Sequence, residues 1–155
     1  MNEQSLFHAQ ARKLLDLITG QTSPAFVQVA ALCLRDSPAG REVLLVQTLE
    51  RRVWIIPKGW PMKGKTLAEA AGIEAWEEAG VRGTVAPQSI GAFTYTKIKK
   101  SGLPVQCRAQ VFQVDVASQA DQYPEAKRRT RRWVTPAQAA EMVQNDELRA
   151  LLSEI

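Results

Sequence analysis

Cysteine, histidine and long apolar runs are what this chain has least of. The two cysteines, Cys33 and Cys107, sit inside apolar runs (AALCLR and VQCRAQVF), and the lone histidine is His8. Three such residues, scattered this way, match no familiar zinc spacing. Both cysteines read as reduced core residues, which points to a cytoplasmic protein. No stretch approaches the roughly 20 apolar residues that span a bilayer, so no membrane association is expected. The start, MNEQSLFHAQARKLLDLITG, has no basic head, no continuous apolar centre and no small-residue cleavage site, so a secretory leader is not expected. Repeats and low-complexity tracts are also missing, and 155 residues fit a single domain, 1–155.

Charge is present, and it is unevenly placed. The net charge of +4 gathers in KIKK (97–100) and KRRTRR (127–132). Such clusters either attract phosphate-rich ligands or end as solvated strand ends and turns. On a strand the second run would alternate, with Arg129, Arg131 and Trp133 on one face and Arg128 and Arg132 on the other. It cannot all meet one ligand, and nucleic acid is not an expected partner.

Local signals outline the elements. SLFHAQARKLLDLIT (5–19) has helical periodicity, so residues 1–20 are expected to hold an appended helix that packs on the domain or makes a homodimer contact. Strands are expected at 25–35, 43–49 and 53–56, the first two joined by the DSPAGRE turn. PKGWPMKGK (57–65) reads as a loop. A helix starts after Thr66, where Thr66-Leu-Ala-Glu69 forms a capping box, and Gly80 suits its left-handed end. Strands at about 88–98 and 104–116 follow, then an irregular acidic-polar stretch, the basic strand RRTRRWV, and a helix capped by Thr135 with Pro136 at its first position. A short helix from about Asp146 closes the chain.

Within the first of the capped helices, EAWEEAG sets Glu74, Glu77 and Glu78 within about 100° of one another. Like charges at these spacings repel by roughly 0.2–0.5 kcal/mol per pair, and acids near a helix C-terminus also oppose its dipole. One explanation is a solvated acidic face. The other is a hard-cation site, because Mg²⁺ takes one or two carboxylates with waters and phosphates. Ala70 and Ala71, one turn earlier on the same face, leave room for an approach, and a Gly-containing loop lies immediately upstream. Glu74 and Glu78, i and i+4 on one stripe, are the first choice of ligands.

The segment resembles the Nudix box, G-x5-E-x7-R-E-U-x-E-E-x-G-U with U aliphatic. Gly59, Glu74, Ala75, Glu77, Glu78, Gly80 and Val81 take seven of its nine defined positions; Lys65 and Ile73 stand where it has Glu and Arg. VAALCLR, EVLLVQT, WIIPKG and RRWVTPAQAA extend the likeness over about 25–142. The arrangement is similar to that of the diphosphoinositol polyphosphate phosphohydrolases, although PAFVQVAAL lacks the basic residues that eukaryotic members carry there for inositol phosphates.

The resemblance implies an α/β fold, a Nudix-type α/β/α sandwich with a mixed sheet. It implies a Mg²⁺- or Mn²⁺-dependent hydrolase that cleaves a phosphoanhydride linkage in a nucleoside-diphosphate-type or polyphosphorylated small molecule by water attack on phosphorus. Glu74, Glu78 and Glu77 would be the metal ligands, or Glu77 the general base, with the Lys58 carbonyl completing the shell. If Glu77 is a ligand only, Asp121 and Glu125 are the next candidates for the base. Lys58, Gly59, Trp60 and Arg52 are the substrate-side candidates: Lys58 reaches a phosphate or is a solvated loop residue, Trp60 stacks on a base or covers the loop, and Arg52, like Arg51, steers phosphate. The lost box arginine, taken in the family to ion-pair with and orient box glutamates, leaves a second reading, a catalytically silent Nudix domain that binds a nucleotide as sensor or scaffold. Loss of Glu and Arg together strands no partner, so the three glutamates should keep their places and Ile73 should turn into the core.

Overall fold

The computed structural model describes residues 26–155 and, before them, residue 10 alone. The helix expected in residues 1–20, and the homodimer contact suggested for it, lie outside the described residues. The elements in order are β1 (Phe26–Ser37), β2 (Gly40–Gln47), β3 (Trp54–Ile55), β4 (Lys58–Gly59), α1 (Leu67–Ala79), β5 (Val81–Val85), β6 (Gly91–Ile98), β7 (Pro104–Gln119), β8 (Arg131–Val134), α2 (Pro136–Met142) and α3 (Asp146–Ser153).

The strands form one mixed sheet. β1 is its centre, parallel to β7 over Phe26–Leu34 and antiparallel to β2 at the hairpin end. The path runs β3-β2-β1-β7-β5, with β4 on β1, β6 on β7 and β8 on β2. Both faces are covered, which is why β1 and β2 are apolar at consecutive positions and not at alternate ones. Val29, Ala31, Cys33, Leu44 and Val46 pack beneath α1. Ala30, Leu32, Leu34, Val43 and Leu45 pack on the other side with Phe93 and with Ala139, Val143, Leu148 and Leu152 of the C-terminal helices and the link between them. The result is the expected α/β/α sandwich. Among the described residues no helix is long and apolar enough to cross a membrane.

Two strands were not expected. β4 is two residues inside the supposed 57–65 loop, paired with Val29 and Ala30 of β1. Two residues between prolines have no periodicity to read; the pairing is dictated by the open edge of β1. β5 follows directly on Gly80 and buries only Val81 fully, so its pattern gives no alternation either. The basic strand is shorter than RRTRRWV. It begins at Arg131, and Arg128 closes a turn in which Arg128 N and Arg129 N both donate to the Glu125 carbonyl.

α1 is placed by small residues. Ala68, Ala70, Ala71, Ala75 and Ala79 are buried against the sheet, which lets the helix axis approach closely. Its N-terminus has the capping box as read, with Thr66 Oγ1 accepting from Glu69 N at 3.0 Å and Glu69 Oε1 from Thr66 N at 3.2 Å. Gly80 ends it at φ 69°, the left-handed conformation that favours glycine. The Tyr123 ring occupies the space where a side chain at Gly80 would go.

The second layer gives a direct stability test. Phe93 is fully buried and is the largest such side chain. Phe93→Ala is expected to lower the unfolding free energy by about 3–5 kcal/mol in a urea titration, since both transfer energy and a cavity are involved. A loss under about 1 kcal/mol would contradict the packing of α2 and α3 on this face.

Candidate functional site

Five segments meet beside the C-terminal half of α1: β1, the β4 segment, α1 itself, β6 and the turn before β8. They enclose a cleft of about 330 Å³ lined by Gln28, Lys58, Gly59, Trp60, Glu74, Glu77, Glu78, Lys97, Glu125 and Arg129, with Pro61 and Met62. The lining holds an acidic group, Glu74, Glu77, Glu78 and Glu125, and a basic one, Lys58, Lys97 and Arg129.

The acidic group on α1 follows from helix spacing. Glu74 and Glu78 are both buried, a rare state for carboxylates. Burial pushes Glu74 up to about 7, and the charges of Glu78, Glu77 and Glu125 push the same way. Burial also pushes Glu78 up to about 7, against the pull of Arg129, the Lys58 backbone and the Lys58 charge. The Glu74 carboxylate lies directly on the backbone of Gly59, where a Cβ would collide with its carboxyl carbon and oxygens. Gly59 is therefore a cradle that only glycine provides. Glu78 Oε2 accepts from Lys58 N at 3.2 Å, and Glu78 Oε1 lies 3.4 Å from Arg129 Nη2. Glu77 is half-buried and faces the same cleft, and its carbonyl accepts from Glu125 N at 3.0 Å. Among the described residues no three His, Cys, Asp or Glu side chains are spaced to enclose an ion. A pair of carboxylates is nevertheless the donor set that Mg²⁺ ordinarily takes from protein, with waters filling the remaining positions.

The basic group is less regular. Burial lowers the Lys58 pKa, partly offset by Glu78, and its Nζ lies 4.5 Å from the Tyr95 ring centre. Trp60 is exposed at the mouth, edge-on to Phe26 and beneath the Lys97 ammonium at 4.9 Å. Arg52 stands apart. It has a positive φ of 54°, donates to the Arg128 carbonyl at 3.2 Å, and does not line the cleft. Arg51 lines a neighbouring cleft of about 560 Å³ that shares Lys58, Lys97 and Arg129 with the first. Asp121 is fully exposed beside Arg131. Ile73 is only partly buried and belongs to neither core cluster, so the expected inward turn is not seen.

Sequence reading missed Gln28, Arg129 and Lys97 as parts of this site. Gln28 is buried in a strand, and its Oε1 has no hydrogen-bond partner among the described residues. A polar residue at the start of an otherwise apolar strand (FVQVAALCL) was the available signal. Arg129 was read as one member of a charge run. In the structure Arg129 and Arg131 both serve α1: Arg131 Nη1 donates to the Ala79 carbonyl at 2.8 Å, placing a cation at a helix end that has no basic residue of its own.

The NUDIX domain model matches residues 26–153. The chain belongs to the NUDIX domain family. It is 32% identical over 117 residues to Nudix hydrolase 12, mitochondrial, of Arabidopsis thaliana, covering 73% of this chain and 57% of that one. The chain thus spans little more than half the length of that relative. The fold is similar to the dihydroneopterin triphosphate pyrophosphohydrolase of E. coli, with TM-score 0.64 and 15% identity over 83% of this chain and 93% of that one. It is similar also to the NUDIX domain of Shewanella oneidensis NrtR complexed with ADP ribose, with TM-score 0.62 and 16% identity over 91% and 94% of the two chains.

The Gly59 cradle can be tested without substrate. Gly59→Ala should destabilise the protein by about 1–3 kcal/mol, as overpacking does. In a Glu74→Ala background the same change should be nearly neutral, because the colliding group is gone. Equal costs in both backgrounds, measured by chemical denaturation, would mean that Gly59 and Glu74 do not share this contact.

Proposed function

We propose that this Nudix domain is a Mg²⁺- or Mn²⁺-dependent hydrolase that cleaves a phosphoanhydride linkage in a nucleoside-diphosphate-type or polyphosphorylated small molecule. The observation that carries the reading is the burial of Glu74 and Glu78 together, with Glu74 against Gly59, in a cleft also lined by Lys58, Lys97 and Arg129. Buried carboxylates of like charge are costly, and a divalent cation between them relieves both desolvation and repulsion. When bound, such an ion neutralises phosphate oxygens and lowers the pKa of a water.

The protein's own residues then have distinct tasks. Glu74 and Glu78 would hold the ion, with the Lys58 N–H fixing Glu78 from the side. Glu77, less buried than its neighbours and open to the cleft, would take the proton from the attacking water, with Glu125 the other carboxylate in reach of the cleft. Lys58 and Lys97 would hold phosphate oxygens. Gly59 keeps backbone close to the reacting group, and Trp60 at the mouth offers an aromatic face to the remainder of the substrate. A lining that holds both acidic and basic groups suits a substrate with at least two phosphates, one at the ion and one on the lysines. Diphosphoinositol polyphosphates, dinucleoside polyphosphates, ADP-ribose, nucleotide sugars and damaged nucleotides all meet that requirement. The two free, buried cysteines, with Cys33 pushed up to about 12 by burial, support a reducing, cytoplasmic setting.

Two outcomes are expected. Millimolar Mn²⁺ or Mg²⁺ should raise the melting temperature of the wild type, since an ion bound only to the folded state stabilises it by mass action. It should leave the Glu74→Gln/Glu78→Gln double mutant unshifted; an equal shift in both would place the ion elsewhere. In a product-release screen over a phosphoanhydride panel, with Glu78→Gln as the blank, Glu77→Gln should lower kcat by about 10²–10⁴ and change metal affinity little. Rescue of Glu77→Gln by excess Mn²⁺ would make Glu77 a ligand and not the base. Stabilisation by metal with no turnover of any substrate would favour the silent, nucleotide-binding reading.

A further inference from the structure

Helix α1, LAEAAGIEAWEEA, contains four glutamates and no basic residue. Glu74 and Glu78 are buried, so the countercharge for them has to come from another element. Arg129 supplies it for Glu78 from the turn before β8. Its side chain is only 13% exposed, and each guanidinium nitrogen faces a protein oxygen. Nε donates to Glu125 Oε2 at 2.8 Å, Nη1 to the Gln47 carbonyl at 2.9 Å, and Nη2 lies 3.4 Å from Glu78 Oε1. The turn is itself tied to α1, because Glu125 N donates to the Glu77 carbonyl and Arg129 N to the Glu125 carbonyl, each at 3.0 Å. One planar fork thus connects the end of β2, the turn and a carboxylate of α1.

We infer that Arg129 is the positioning residue of the cleft, fixing Glu78 in the orientation in which Glu74 and Glu78 jointly receive a divalent cation; this rests on the metal site proposed above. Within α1 the box pattern has an arginine next to Glu74, and Ile73 stands there. A guanidinium reaches the cleft instead from a different segment, the turn before β8. With Nε and Nη1 hydrogen-bonded and Nη2 in an ion pair, Arg129 meets a protein oxygen from each of its three nitrogens.

The inference predicts a sign. A guanidinium beside a metal ligand repels the incoming cation, so if Arg129 acted only through its charge, Arg129→Met would tighten Mn²⁺ binding and Arg129→Lys would leave it unchanged. A positioning role predicts weaker binding in both, because lysine cannot span three acceptors with a rigid fork. Mn²⁺ affinity of the whole chain, by calorimetric titration with circular dichroism to verify folding, should fall by about 10–100-fold in each variant, the usual cost of losing a residue that orients a ligand. In a Glu78→Gln background, Arg129→Lys should have no further effect. Unchanged or tighter Mn²⁺ binding in a folded Arg129 variant, or an equal loss in the Glu78→Gln background, would overturn the inference. If Arg129→Met does not fold, Arg129→Lys alone decides. A wild type that does not bind Mn²⁺ would instead overturn the metal reading beneath it.

Discussion

Two carboxylates buried on one helical stripe are the constraint around which this end of the molecule is arranged. Glu74 and Glu78 repel each other and lose water, and burial, with neighbouring carboxylates, raises both well above the ordinary range. The fold accepts this because neighbouring segments are shaped to it. Gly59 yields its side-chain volume to Glu74, Lys58 lends a backbone N–H to Glu78, and Arg129 stands opposite. Buried charges left without partners cost several kcal/mol, so an arrangement of this kind persists where it serves a ligand.

The rest of the architecture delivers those segments. The alanine face of α1 brings the helix close to the sheet, and the parallel β1–β7 pair forms a rigid floor beneath it. β4, only two residues long, hydrogen-bonds to β1 and so holds Lys58 and Gly59 against α1. Gly80 turns the chain sharply, and the Tyr123 ring and the Arg131 guanidinium close over it. The basic run, which in isolation suggests a surface patch, divides its labour. Arg129 and Arg131 turn inward to α1, while Arg128 and Arg132 remain exposed.

How much of this was legible beforehand depended on how local each signal was. The capping box at Thr66, the left-handed Gly80, the helical stripe of glutamates and the apolar β1 and β2 are decided by residues adjacent in sequence, and they appear where the sequence places them. β4 and β5 are made by pairing with β1 and β7, and nothing in PKGW or VRGTV announces that. Arg129, Lys97 and Gln28 reach the cleft through sheet topology, which brings together residues some hundred positions apart. Arg52 illustrates the reverse: close to the loop in sequence, it is turned aside by its own backbone and bonded to Arg128. Ile73 shows that an apolar substitution in a helix need not be drawn into the core when alanines already fill the contact with the sheet.

The central claim is that the cleft is a divalent-cation site built on Glu74 and Glu78. Crystals soaked in Mn²⁺ and measured near the manganese absorption edge test it most directly. The account predicts an anomalous peak between the Glu74 and Glu78 carboxylates, beside Gly59 and with waters in its remaining positions. A fully soaked crystal with no peak in the cleft, or with the ion on other residues, would contradict it.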